Sequence, residues 1–518
     1  MSHCICTDVF VVGGGPVGLT VAYSLTRQGV TSLLVGQHDK NQQAMYGRAT
    51  TLYPRTLEML DQLDLLDDLN QIGYVARNSV TFKDGKRVTS RGWQKMFEAM
   101  HGTYLDYCLN IRQKYSEELE SFSVDHESKN DYKVTSQVRN VKTDEVLVVK
   151  SYELISLAVN TSGHSLVRRL ANIPFEGEPH RWVRIDGCSK TNMPDADLGF
   201  ASIESRQYGN VLWVQLDHGV KRIGFAMTED MLTKYGERFT EEDAKQEAIT
   251  SMEPFTLEFE SIDWWTLYSI NQRVADAYIS NDRVILAGDA CHTHSSGAAQ
   301  GMNTGVHDAV NLAWNLVLDK AFSAVISGQI PDSYQGRYTD ANELFTKLFD
   351  ETIQFSIGLG IHYGESMINW PSTTGMISAG WRAPDALVLT KNLGQWSIVI
   401  FAGQPSETQG NLATAVETLG ALVTSLPRGM IRFVTVVAQN VAQGNRFFSI
   451  PRLGYLCSDQ DQSAHAAYTI SPGRGAVVVL RPDGILAHAT ALEDVRSAVS
   501  FLSGLTGVAP RFDYYSLS

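Results

Sequence analysis

Near the N-terminus, the apolar run from Val9 to Val12 leads directly into Gly13-Gly14-Gly15-Pro16-Val17-Gly18 and then into an amphipathic segment over residues 19–28. This Gly-x-Gly-x-x-Gly turn between strand and helix needs each of its glycines. Gly13 permits the tight turn, Gly15 lets backbone N–H groups approach a pyrophosphate, and Gly18 lets the helix pack closely on the strand. The helix N-terminus adds partial positive charge for phosphates. The arrangement predicts a dinucleotide-binding α/β unit opening the chain.

A second strand is expected over residues 31–35. In such units an acidic residue at its end holds the adenosine ribose, whereas this chain has Gly36-Gln37, with Asp39 slightly further on.

The 518 residues suffice for two or three domains, each with its own core. With 43% hydrophobic and 19% charged residues the composition is that of a globular protein, and a formal charge of -14 without basic blocks argues against a nucleic-acid partner. No apolar run approaches the roughly 20 residues of a membrane helix, and the first strand leaves no room for a signal peptide, so a cytoplasmic enzyme is expected. The six scattered cysteines (Cys4, Cys6, Cys108, Cys188, Cys291, Cys457) read as reduced thiols. His292-Thr293-His294 lacks a suitably spaced third ligand, and no metal is expected.

The run Val284 to Gly288 is again a short apolar strand ending at a glycine. It continues through Asp289-Ala290-Cys291-His292 and a small-residue loop to Gln300-Gly301-Met302-Asn303 and an apolar helical stripe of Ala309, Leu312, Ala313 and Leu316. This forms a second anion cradle, with Asp289 able to accept from a sugar hydroxyl. Between the cradles, residues 200–204, 211–216 and 222–227 read as short strands of a β-rich domain. Trp264, Trp265 and Tyr268 read as core or domain seam, and Thr240 reads as the cap of a helix beginning Glu241-Glu242-Asp243. Strands are also expected over 396–402, 431–438 and 475–480, in a region without a Cys-x-x-Cys pair.

Taken with Asn110-Ile111-Arg112-Gln113, the two glycine motifs resemble those of the class A flavoprotein aromatic monooxygenases, and within them the fungal phenol 2-monooxygenase-like branch, from about Asp8 onward. The resemblance implies a Rossmann-like FAD-binding domain in two parts (1–180 and 279–382), a β-rich substrate domain (181–278) and a C-terminal thioredoxin-like domain (383–518). It implies FAD as cofactor, NADPH as transient reductant, O₂ and a phenolic aromatic as substrates, and a homodimer. The cofactor residues it implies are Gly13, Gly15, Gly18, Arg48, Arg112, Gln113, Gly288, Asp289, Gln300, Gly301, Met302 and Asn303.

Several positions depart from the family pattern. Thr161 and Ser296 replace a motif Asp and a ring-side Pro, and the connections after Gln113 and after Leu316 are short. Thr50 stands where phenol hydroxylases carry a deprotonating Asp, and Val211 and Trp213 fall where familiar members have Arg and Tyr. Thr50 and Trp213 are therefore the candidate substrate-site residues. Because a positioned base is worth roughly 10²–10⁴ in rate, the expected substrate is an already acidic polyphenol or quinone-like polyketide of fungal secondary metabolism. A Baeyer–Villiger oxygenation, and a flavin-poor descendant acting as a redox-neutral cyclase or binding protein, stay open as alternatives.

Overall fold

The computed structural model describes residues 4–27, 30–36, 49–89, 92–100, 103–112, 121–124, 134–139, 146–158, 166–205, 207–236, 238–281, 283–293, 299–322, 362–366, 368–372, 376–384, 395–423, 431–438 and 450–506. They fall into two compact units, one drawn mainly from residues 1–313 and the other mainly from 359–518.

In chain order the first unit contains β1 (Cys4–Val12), α1 (Pro16–Arg27), β2 (Ser32–Val35), β3 (Thr51–Leu52), α2 (Pro54–Gln62), β4 (Asn78–Lys83), β5 (Cys108–Asn110) and β6 (Val146–Ala158). It continues with β7 (Phe175–Thr191), β8 (Gly199–Ser205), β9 (Gly209–Gln215), β10 (Lys221–Ala226), α3 (Glu241–Ser251), β11 (Leu257–Ala275), β12 (Val284–Gly288) and α4 (Gln300–Phe322). The strands β12, β6, β1 and β2 lie side by side and parallel. Their apolar runs are those of strands covered on both faces, and Phe10, Val149, Leu154, Val284 and Leu286 fill the core beneath them.

A second sheet runs in the order β11, β7, β10, β9, β8, β4, antiparallel except for β8 beside β4. Alternation along each strand sends Val183, Ile185, Val211, Trp213, Ile223 and Phe225 to one core, which also takes up Ala244 and Ala248 of α3. Thr240 caps α3 as expected. Its hydroxyl accepts from the Asp243 N–H, and the Asp243 carboxylate accepts in return from the Thr240 N–H.

The second unit is built on a five-stranded mixed sheet in the order Tyr455–Ser458, Ile431–Val437, Trp396–Gly403, Ala476–Leu480, Leu486–Ala491. Helices Pro405–Val423 and Val495–Thr506 supply Leu412, Leu419, Val499 and Leu502 to a core with Trp396 and Ile398. The segment around Trp370 and Gly380, expected with the FAD-binding part, groups with this unit, as does Ala383. The backbone N–H groups of Trp370, Gly380 and Ala383 donate to the carbonyls of Ala487, Leu486 and Gly484. No helix among the described residues is long and apolar enough to cross a membrane.

Candidate active site

Both glycine turns lie at the carboxyl ends of parallel strands, the edge where open α/β sheets take their ligands. At the end of β1, Gly13 adopts φ 124°, a conformation that side chains disfavour, and its N–H donates to Val35 O at 2.7 Å. At the end of β12, Gly288 has φ 58°. The two turns meet at Val17. A Cβ on Gly288 would stand 3.3 Å from Val17 Cγ2, and one on Gly305 of α4 would stand 2.6 Å from it. The close approach of α1, β12 and α4 therefore depends on glycine at Gly305. Asp289 follows Gly288 and faces the first turn of α4, where a Cβ on Gly301 would meet only the Asp289 carboxylate, at 4.0 Å. That leaves a small open cradle beside an acceptor and a helix N-terminus.

The Gly288 turn is braced from behind. Its N–H donates to Asp308 Oδ2 (2.8 Å), which also pairs with His292 Nε2 (2.7 Å). Cys291 Sγ donates to Gly288 O at 3.4 Å. The Cys291, His292 and Asp308 donor atoms lie within 4.8 Å of one another. These groups already bond to one another or to the Gly288 backbone, and the arrangement is that of a brace.

Asn303 and Met302 have structural duties that the sequence does not reveal. The Asn303 Oδ1 accepts from Tyr53 N (2.8 Å) and Thr56 Oγ1 (2.7 Å), and its Nδ2 donates to Thr51 O and Ala299 O (both 2.8 Å). Three of these bonds stitch α4 to β3 and α2, and the fourth, to Ala299 O, closes the first turn of α4. Met302 packs its side chain among Leu52, Leu57, Tyr107 and Leu109. Both side chains are thus engaged within the protein.

Arg112 is held by Asp217, in the turn between β9 and β10, and by Asp263 of β11. Its backbone N–H and guanidinium bond Asp217 at 2.9–3.2 Å, and Nη1 donates to Asp263 at 2.8 Å. Burial disfavours the Arg112 charge, but Asp217 and Asp263 outweigh it and raise its pKa above the ordinary arginine value. Nothing in the sequence singles out Asp217 or Asp263, which lie over a hundred residues away. Asn110, next to this clamp, links β3 to β9 by accepting from Thr51 Oγ1 (3.0 Å) and donating to Gln215 O (3.1 Å). Thr50 is buried beside it, its carbonyl accepting from Ile111 N at 2.7 Å.

Trp213 corrects the sequence reading. It is fully buried in the core shared with α3, and its Nε1 donates to Ala196 O at 2.9 Å. The strand parity that buries it turns Leu212 and Val214 to the other face. The paired tryptophans divide in the same way. Trp265 joins the α3 core, and Trp264 lies under the Arg222 guanidinium on the opposite face. Arg48, Gln113, Thr161 and Ser296 lie outside the described residues.

Residues 6–347 match the FAD binding domain family, and residues 445–509 match the phenol hydroxylase C-terminal dimerisation domain. This chain belongs to the FAD-dependent aromatic monooxygenases. Phenol 2-monooxygenase fsqG of Aspergillus fumigatus is 24% identical, covering 96% of each chain. The 3-hydroxybenzoate 4-monooxygenase of Comamonas testosteroni is 26% identical over 77% of this chain and 74% of its own. Among solved structures, the flavin-dependent monooxygenase PieE in complex with FAD and substrate superposes with a TM-score of 0.68 at 17% identity, covering 98% of this chain and all of its own. Aklavinone-11 hydroxylase with FAD and aklavinone gives 0.67 at 18%, covering 97% of this chain and 99% of its own. The residues present fit FAD, since the Gly301 cradle is open where a side chain would close it and the Asp289 carboxylate borders it.

Proposed function

We propose that this FAD-dependent monooxygenase uses NADPH and O₂ to oxygenate a phenolic or quinone-like aromatic polyketide. In this reading Gly13, Gly15, Gly18 and the α1 N-terminus hold the pyrophosphate, and Asp289 and the start of α4 hold the ribityl chain. Bound FAD would supply electron transfer from NADPH and activation of O₂. The observation that carries the reading is the meeting of the two glycine turns at Val17, which joins sequence-distant halves of one cofactor cradle. The phenolic and polycyclic substrates named for its relatives and fold neighbours support the substrate class.

The second sheet supplies the chamber floor on the face away from α3. Thr50, with no ionisable group to take a proton, restricts the enzyme to substrates whose ring oxygen ionises readily. The protein is expected to act as a homodimer through its C-terminal unit. A cytoplasmic place of action fits six cysteines that are all free thiols.

The test is NADPH oxidation over a panel of phenol, a dihydroxybenzoate, an anthraquinone and a benzophenone, with product mass read for the gain of one oxygen. Larger or more acidic aromatics should stimulate turnover far more than phenol. Efficient ortho-hydroxylation of phenol with little response to the others would overturn the polyketide assignment.

A further inference from the structure

Ala299, the residue immediately before α4, has φ 49°, in the left-handed region of backbone space. Most other non-glycine residues found there, such as Asp64, Asn172 and Asn281, carry short polar side chains of the kind that tolerate it by bonding locally. Alanine has only a Cβ, the atom that this conformation penalises. Such a backbone persists where its surroundings hold it, and residues of this kind gather where geometry serves a function.

The holding group is Asn303. Its Nδ2 donates to Ala299 O at 2.8 Å, which fixes the peptide plane leading into α4. The same nitrogen donates to Thr51 O at 2.8 Å, and Oδ1 accepts from Tyr53 N and Thr56 Oγ1 at 2.8 and 2.7 Å. The amide is buried with its two donor and two acceptor places filled, and turning it over would set its oxygen against two carbonyls. Through one side chain, β3 and α2 therefore dictate the conformation at Ala299. Just beyond, Gly301 opens the cradle beside the Asp289 carboxylate. The turn at Ala299 sets the direction in which the first-turn N–H groups of α4 point.

We propose that Asn303 and Ala299 together position FAD: the Asn303 amide holds Ala299 in its left-handed conformation, and that turn aims the start of α4 at the cofactor. The proposal rests on the FAD reading above and deepens it. Without the amide, Ala299 relaxes to an ordinary backbone, the cradle is formed in only a fraction of molecules, and the apparent FAD affinity falls with that fraction. Glycine at this position adopts the turn without help.

The experiment is a double-mutant cycle on the full chain, freed of flavin and titrated with FAD, with the dissociation constant read from flavin fluorescence and the thermal midpoint recorded without FAD. Asn303→Asp keeps the acceptor bonds to Tyr53 and Thr56 and loses both donor bonds. It should weaken FAD by about tenfold or more. Adding Ala299→Gly should recover about five- to thirtyfold, the worth of relieving one left-handed alanine. In the wild-type background, where the turn is already held, the same change should tighten FAD by less than about twofold. An Asn303 that only ties elements together would lower the midpoint, and glycine would not rescue FAD affinity. That result, an equal effect of Ala299→Gly in both backgrounds, or no weakening in Asn303→Asp, would overturn the proposal. If Asn303→Asp does not fold, Ala299→Val decides. Its branched side chain excludes the left-handed backbone, so FAD should weaken by about tenfold or more, and unchanged affinity would be equally fatal. The FAD reading itself fails separately, if the wild-type chain takes up no FAD.

Discussion

At the scale of single residues, the two acids on Arg112 should differ sharply in worth. Asp217 is almost fully enclosed and takes both the backbone N–H and the guanidinium, whereas the Asp263 side chain is 34% exposed. Removing one partner of a buried pair strands the other charge, at about 3–5 kcal/mol, whereas an exposed pair contributes about 0–1 kcal/mol. Asp217→Ala should therefore lower the denaturation midpoint steeply and Asp263→Ala only slightly, as urea unfolding would read. Similar losses for both would show that Arg112 is held chiefly by something else.

At the scale of elements, the brace behind the Gly288 turn couples cofactor retention to pH. Burial works against the His292 charge, but the Asp308 carboxylate outweighs it and raises the imidazole pKa well above its ordinary value. For Asp308, burial is outweighed by His292 and the Gly288 N–H, which hold the carboxyl below its ordinary range. The imidazole contribution is thus complete below its unfolded value of about 6.5 and is lost as pH rises through the raised folded value. The carboxylate contribution is complete above about 3.9 and is lost as pH falls through the lowered one. Thermal stability and FAD retention should decline from neutral to alkaline pH in wild type, and His292→Gln should flatten that decline at a lower starting level. A variant that keeps the wild-type alkaline slope would assign it to another group.

The strands and both glycine turns were legible because strand burial and phosphate approach leave local marks. Apolar runs end at glycines, and φ 124° at Gly13 and 58° at Gly288 exact a residue type. The brace was not legible, because Asp308 comes sixteen positions after His292, on a helix whose own pattern does not require it. Trp213 was misjudged because both faces of β9 are apolar, so alternation alone cannot tell the α3 core from the opposite face. The packing of Arg184 on Gly224 escaped notice because the two are cross-strand partners that sequence spacing does not reveal.

At the scale of the whole molecule, the first unit carries both glycine turns and most of the FAD binding domain match, and the second carries the matched dimerisation domain. Light scattering on a gel-filtration column should give twice the chain mass at micromolar concentration. A monomer at that concentration would leave the C-terminal unit without its proposed role. The place of β6 in the parallel sheet has another consequence. It lies between β1 and β12, so the Gly13 turn is made first and finds its counterpart only after Gly288 and Asp308 have been synthesised. At about 5–20 residues per second the ribosome needs roughly 15–60 s to cover that interval. For all of that time the nascent chain displays half a nucleotide grip, and the length of that window is set by strand order.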